Sequence, residues 1–360
     1  MESIRPALAT ARLAAPRRVS RPLYQCLHTS ATRFATPLPH PSVPGPPPAT
    51  PTPSASDALD RVARKRRQAE MLQQAREVRT SPSRPKTGLQ KRFWKHVTVK
   101  ETGDGLQVFL DTRPVRTPTK DILTLPASKH QLATAIALEW DLLVSAQQAL
   151  KTHLIPMTSL SSRAIDIETA DAKGDSTLRE NIVAMMMRYL ATDTVLCWAP
   201  EKVLHETPQN GLTLRQTQIK IAAPIIAYLT TYVWPGVEIK PILEPDSILP
   251  VPQPDMTKNV IRGWLTGVPA FELAGLERAV LASKSLLVGV RLIHEWSEAF
   301  AHSRKAGEAR FGIEEAAEAS SLEVRWQTRQ WGEVDDTHDV EKEDMRRQLG
   351  SAILLVSGDS

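Results

Sequence analysis

The sequence has almost no cysteine: Cys26 and Cys197 are the two in 360 residues. Cys26 lies in a stretch expected to be removed, so the mature chain would keep one, which excludes an intrachain disulfide and a cysteine-ligated metal. Cys197 sits in the apolar run TDTVLCW, the setting of a buried, unreactive thiol. No apolar run approaches the roughly 20 residues a membrane-spanning helix needs. No glycine-rich loop leads into Lys-Ser/Thr, and there is no GxGxxG, so the common nucleotide cradles are excluded. The HEWSE stretch from His294 to Glu298 lacks the second histidine of a zinc helix. His294 and His302 have no obvious third ligand and read as solvated or capping residues. SRPK from Ser83 has Ser-x-x-Lys spacing but lies in a linker, where no catalytic group is preorganised. Glu139 and Asp141 point to different helix faces and make a poor acid/base pair. Nothing here requires a metal or a cofactor.

Negative charge is absent from Ser3 to Ser56. Residues 1–36 carry six arginines and one acid and are rich in Ala and Ser/Thr. That is the composition of a mitochondrial presequence, with a basic tail on a cytosolic protein as the alternative. Residues 37–92 read as a linker. PLPHPSVPGPPPATPTP is extended and has nothing to bury, apart from a role as a proline-recognition ligand. The charged stretch after it, with RKRR, is helix-capable, and residues 57–92 carry eleven Lys/Arg against four Asp/Glu. Its basic 61–92 arm resembles a nuclear import signal or an RNA-binding arm; a solvated tether is the plainer reading. The whole chain is +5, yet residues 93–360 hold 28 Lys/Arg and 35 Asp/Glu. An acidic folded part repels phosphate backbones on average, which argues against nucleic acid.

The folded part divides into strands followed by helices. FWKHVTV alternates, which predicts a strand with Phe93, Val97 and Val99 on one face. Thr102–Gly105 (TGDG) is a hairpin turn, with Asp-Gly supplying positive φ, and LQVFLD is the return strand of a small meander. A helix is expected from Ser128, which stands at capping-box spacing from Gln131, with Leu132, Ala135, Ile136 and Leu143 inward. A second helix follows Gly174, capped by Asp175 or Ser176, with Ile182, Met185, Met186 and Leu190 inward. Its Met185-Met186-Met187 run reads as core ahead of an adaptable binding face. TVLCW is a short extended piece. The helix of LRQTQIKIAAPIIAYLTTYVW should kink or restart at Pro224, and Glu238–Asp255 is an ordered proline-rich loop. Four helices then span about 257–267, 270–302 (with a break near Ser283 considered), 313–331 and 339–356. Pro269 suits a first turn and Gly332 a C-terminal cap. The expected class is α+β, with a small β-rich domain and a helix at 93–157 and a helical domain at 158–360.

The stretch SLEVRWQTRQWGEVDD, from Ser321 to Asp336, stands out. On a helix, Glu323, Gln327 and Gln330 project along one side, while Trp326 and Trp331 face different surroundings, one as a core anchor and one near the helix end. Two readings stay open on pattern alone. One is a capped amphipathic helix with a solvated acidic turn, and the other is a partner-binding face rich in Trp and Arg.

Six blocks in order carry a resemblance: RFWKHVTV; VFLDTRPVRTPTKDILTLPASKHQLATAIALEWDLL; PMTSL; LATDTVLCW; LERAVLASKSLLVGVRL; and SSLEVRWQTRQWGEVDDTHD. Together they resemble the Atp-twelve family of mitochondrial chaperones over about Arg92 to Gly350. The resemblance implies binding instead of catalysis, with the unassembled alpha subunit of the ATP synthase catalytic head as client, released to the beta subunit. It also implies the mitochondrial matrix, no cofactor, and action as a monomer. Glu139 and Trp140 match the family's Glu-Trp pair and are expected to be structural. Glu323, Gln327, Trp331 and Gly332 match its later block. Glu323, Gln327, Arg325 and Trp331 are therefore the expected partner-binding residues, with Gly332 structural. Relatives carry consecutive acids where this chain has Glu323-Val324-Arg325, and Trp-Asp-Pro where it has Ala222-Ala223-Pro224. A mitochondrial RNA-binding protein using the basic arm, and an unidentified matrix enzyme, are the competing classes.

Overall fold

The computed structural model describes residues 63, 65–67, 69–71, 91–201, 208–209, 211–243, 249–303, 310–334 and 337–358. The presequence, the proline-rich stretch and most of the basic arm lie outside the described residues. The fold is a small antiparallel sheet with a helix on it, followed by a mostly helical region.

Strand β2 (Gly105–Leu110) is the centre of the sheet. It pairs antiparallel with β1 (Val97–Thr102), β3 (Arg113–Pro114) and β4 (Thr124–Leu125). The register Thr102↔Gly105 makes the predicted hairpin. The positive φ falls on Gly105 at 136°, not on Asp104. A Cβ on Gly105 would lie 2.2 Å from the Leu125 carbonyl oxygen, so β4 can approach only a glycine there.

The expected strand from Phe93 needs correcting. Phe93 is exposed and Trp94 takes the core position. The Asp111 carboxylate accepts from the backbone of Lys95 and His96 at 2.9–3.2 Å. This holds the chain irregular until Val97 and breaks the alternation. Phe93 instead lies under the Arg113 guanidinium, 5.6 Å away.

Helix α1 (His130–Leu142) covers the sheet, with Leu132, Ala133 and Ile136 buried. It has no side-chain cap. The Ser128 hydroxyl, expected to cap it, donates to Glu298 at 3.2 Å. Lys129, almost fully buried, pairs with Glu298 at 2.9 Å and donates to the carbonyls of Val356 and Ser357. The start of α1 is thus tied to the last helix. Helix α2 (Pro156–Ala172) was not expected from the sequence. The predicted division at 157/158 falls inside its first turn.

Helix α3 (Thr177–Ala191) buries Ile182, Val183, Met186 and Leu190, with Met185 and Met187 half-buried. TVLCW is not extended: the amides of Leu196 and Cys197 both bond the Asp193 carbonyl in a tight turn. Helix α4 (Leu214–Tyr228) runs through Pro224 without interruption and passes into a π turn at Leu229–Val233. Pro224 lies on its exposed side, where water can replace the backbone bond its ring removes.

The helix expected over 270–302 is two, broken at Ser283 as the sequence allowed. Helix α5 (Asp255–Gly267) precedes them. Helix α6 (Ala270–Ser283) ends at Lys284, which is left-handed (φ 55°), and α7 (Leu286–Trp296) starts at Ser285. Helix α6 is the centre of the helical layer, buried from Phe271 to Leu276 and packed on α2, α7 and the last helix. The helix expected over 313–331 is also two, α8 (Ile313–Ser320) and α9 (Leu322–Trp331). The hydroxyls of Ser320 and Ser321 bond back to the carbonyls of Ala316 and Ala317, a competition that ends helices. Helix α10 (His338–Val356) closes the fold. No helix of the described residues is long and apolar enough to cross a membrane.

Candidate functional site

The Glu139-Trp140 pair works inside the protein. Helix α2 begins at Pro156 with no cap of its own. The Glu139 carboxylate, on α1, accepts from Met157 N at 2.5 Å, Thr158 N at 3.0 Å and the Thr158 hydroxyl at 2.9 Å. It is an N-cap supplied by another helix. Burial raises the Glu139 pKa, and those three bonds oppose the rise. Trp140 donates from Nε1 to the same Thr158 hydroxyl at 3.1 Å. Trp94 donates to the Trp140 carbonyl at 3.2 Å and meets its ring edge-on at 5.4 Å.

A second carboxylate does the same for α7. Asp193 is fully buried and accepts from the Ser285 hydroxyl at 2.6 Å and the amides of Leu287 and Val195 at 3.0 Å. Burial pushes its pKa up to about 6 against those bonds. The sequence reading missed this residue. Its one signal was a lone acid in an apolar run.

Helix α9 is different. Trp326 and Thr328 face inward. Glu323 and Gln327 are exposed neighbours, the Gln327 amide donating to Glu323 at 3.3 Å. Arg325 donates to Glu318 at 2.7 Å, while its Nε has no partner in the structure. Trp331 ends the helix, 52% exposed. Gly332 (φ 89°) bonds the Thr328 carbonyl at 2.8 Å and stops the helix.

Glu323, Arg325 and Gln327 line one cleft, of about 450 Å³, together with Lys284, Glu341 and Arg346. Trp331 does not line it. Trp326 and Arg329 border a larger groove of about 1010 Å³ against α4 and α8, and Leu322 and Arg325 line both. Sequence reasoning did not find that groove.

Two expectations are corrected here. His294 is buried, not solvated: its ring lies between the Tyr228 hydroxyl at 2.9 Å and the Ser303 hydroxyl at 3.0 Å, stacked on Phe300. Cys197 is only half-buried and borders the smaller cleft. Burial, then the charges of Asp193 and Glu323, push its thiol pKa up. Among the described residues, no group of three His, Cys, Asp or Glu side chains could hold a metal ion.

The profile of the ATP12 chaperone protein matches residues 91–230, stopping ahead of α9. The mitochondrial protein atp12 of Schizosaccharomyces pombe is 30% identical over 271 residues, covering 74% of this chain and 81% of the relative. The mitochondrial ATP12 of Saccharomyces cerevisiae is 30% identical over 282 residues, covering 73% and 83%. The crystal structure of Atp12 from Paracoccus denitrificans superposes with a TM-score of 0.54 at 23% identity, over 74% of this chain and 97% of that one. Atu1473 of Agrobacterium tumefaciens, described as a putative chaperone, gives 0.54 at 22% identity, over 74% and 85%. These two structures share the fold. Fold and relatives together define a chaperone. The chain belongs to the ATP12 family, whose yeast members are mitochondrial proteins.

Proposed function

We propose that this protein is an assembly chaperone of the mitochondrial ATP synthase. It binds the unassembled alpha subunit of the catalytic head and hands it to the beta subunit. A presequence within residues 1–36 is cleaved on import to the matrix, and the folded part acts as a monomer without cofactor or catalysis. Residues 93–157 brace the fold and residues 158–360 carry the client face.

The observation that carries the reading is the character of α9. Its block resembles the family's, and it presents Val324 and Trp331, 40% and 52% exposed, beside Glu323 and Gln327. Val334, 59% exposed, follows directly. An unassembled subunit exposes a surface meant for its neighbour, and such patches aggregate. A protein that covers the patch reversibly suppresses that route. It must bind more weakly than the beta subunit for the exchange to run downhill. The negative charge of residues 93–360 helps select the partner.

The test is a pull-down from mitochondrial extract with the full chain as bait, with and without Glu323→Lys. Free alpha subunit on the wild type, lost on the variant at unchanged thermal stability, supports the reading. Wild-type bait that returns no alpha subunit at any salt concentration overturns it.

A further inference from the structure

The larger groove has two helical walls with different work to do. On α4, Lys220, Pro224 and Ala227 fall at i, i+4 and i+7, Thr231 follows in the π turn, and all four are exposed. They form one face of a helix that nothing among the described residues covers. Apart from Lys220 that face is small and uncharged. The opposite wall runs from Glu315 and Glu318 on α8 to Arg325 and Arg329 on α9. Trp326, Ile221 and Tyr232 add apolar surface between the walls.

The charges in the groove are not equally committed. Arg291 is held by Glu295 at 2.5 Å and stacks on Tyr228 at 3.6 Å. Arg325 is paired with Glu318, and Glu315 accepts from Gly312 N at 2.9 Å. Lys220 and Arg329 have no carboxylate among the described residues. Among the described residues, Arg329 bonds the Gln209 amide oxygen, at 3.1 Å. Gln209 also donates to the Trp326 carbonyl, which fastens this end of α9 near the start of α4. Among the described residues, Lys220 and Arg329 are thus the groove cations without a carboxylate partner, on a folded part whose net charge is −7.

We propose that this groove receives an amphipathic segment of the client protein, with acidic side chains at the Lys220–Arg329 end and apolar side chains against Pro224, Ala227 and Trp326. The proposal rests on the client-binding role above and gives it a second contact, in a groove that Glu323 does not line. A helix laid in a groove between helices is a common recognition mode. Free cations at one end fix its direction. A phosphate ligand fits less well, because two of the three arginines are already paired and there is no glycine-rich loop.

The experiment measures affinity of the full chain for purified ATP synthase alpha subunit. It compares wild type, the double variant Lys220→Glu/Arg329→Glu, Ala227→Trp and Glu323→Lys. All the changed positions are exposed, and circular dichroism with thermal melts checks each fold. The double variant is expected to bind about tenfold more weakly or worse at low salt, with the gap narrowing at high salt. Ala227→Trp, which fills the groove, is expected to lose a similar factor at any salt. Both variants binding within about twofold of wild type overturns the groove while leaving the client role standing. Wild type failing to bind overturns both. A wild-type dimer that Ala227→Trp dissociates assigns the groove to a second copy instead. Affinity raised about tenfold by removing residues 1–90 assigns it to this chain's own arm. RNA-oligonucleotide binding that the double variant abolishes assigns it to nucleic acid. Each of these three outcomes overturns the proposal.

Discussion

Two blocks that stand out in the sequence are used in opposite ways, the first inside the stretch the family profile matches and the second beyond it. The Glu139-Trp140 block spends its polar atoms internally. Both carboxylate oxygens, the indole N–H and the Trp140 carbonyl all have partners within the fold. The Glu323–Gly332 block bonds Arg325, Thr328 and Arg329 inward but leaves its outer side to solvent. Glu323 has one long bond from its neighbour Gln327, and Trp331 stands half in water. A motif whose hydrogen bonds close on the protein itself explains a fold. A motif that leaves apolar and charged surface exposed has something to offer a partner. Substitutions should separate the two: heavy damage to stability in the first block, little in the second.

The largest effect is expected from Trp94→Ala. Trp94 is 2% exposed and binds the sheet to α1 through Trp140. Its truncation should cost about 3–5 kcal/mol, read by urea unfolding. A loss below about 1 kcal/mol would mean that the junction is not the brace described.

Asp193 extends the comparison, since it caps α7 across the fold as Glu139 caps α2. Its folded pKa of about 6 lies above the ordinary carboxylate value of about 3.8. The folded state thus favours the protonated acid. That contribution is present in full below pH about 3.8 and is lost as pH rises through about 6, by about 3 kcal/mol in all. Asp193→Asn removes this titration. Between pH 4 and 7 the variant should gain on wild type by up to that amount, in parallel urea titrations. A constant difference across the range would show that Asp193 titrates normally.

The hairpin was legible because its turn chemistry and its alternating apolar residues agree. The last helix was legible because a long periodic pattern needs no outside help. What failed depended on distant residues. Helix α2 carries no local cap and mixes buried Thr158, Ser161 and Ser162 with its apolar positions; its start is defined by Glu139, 17 residues earlier. The break near Ser283 was raised from the sequence, but not its bracing by Asp193, 92 residues away. The shift of the core position from Phe93 to Trp94 follows from Asp111. In α9, the exposure of Glu323 and Gln327 could be anticipated from helical spacing. The larger groove could not, because its walls come from residues 217–232 and 315–329, which only tertiary packing brings together.

The smallest stability effect is expected where function is proposed. Glu323→Lys loses one 3.3 Å bond with Gln327 on an exposed helix side. It also puts a cation in the first turn of α9, where the helix dipole prefers an acid. Together these should cost about 0.5 kcal/mol. Trp331→Ala, at a half-exposed helix end capped by Gly332, should cost about 1 kcal/mol or less. Both are read from denaturation midpoints at constant slope. A loss above about 2 kcal/mol in either variant would place the block with Glu139 and Trp140 as internal framework. Its loss of client binding would then be a folding effect. Small losses leave α9 as a surface whose side chains are held in place by the fold without being used up by it.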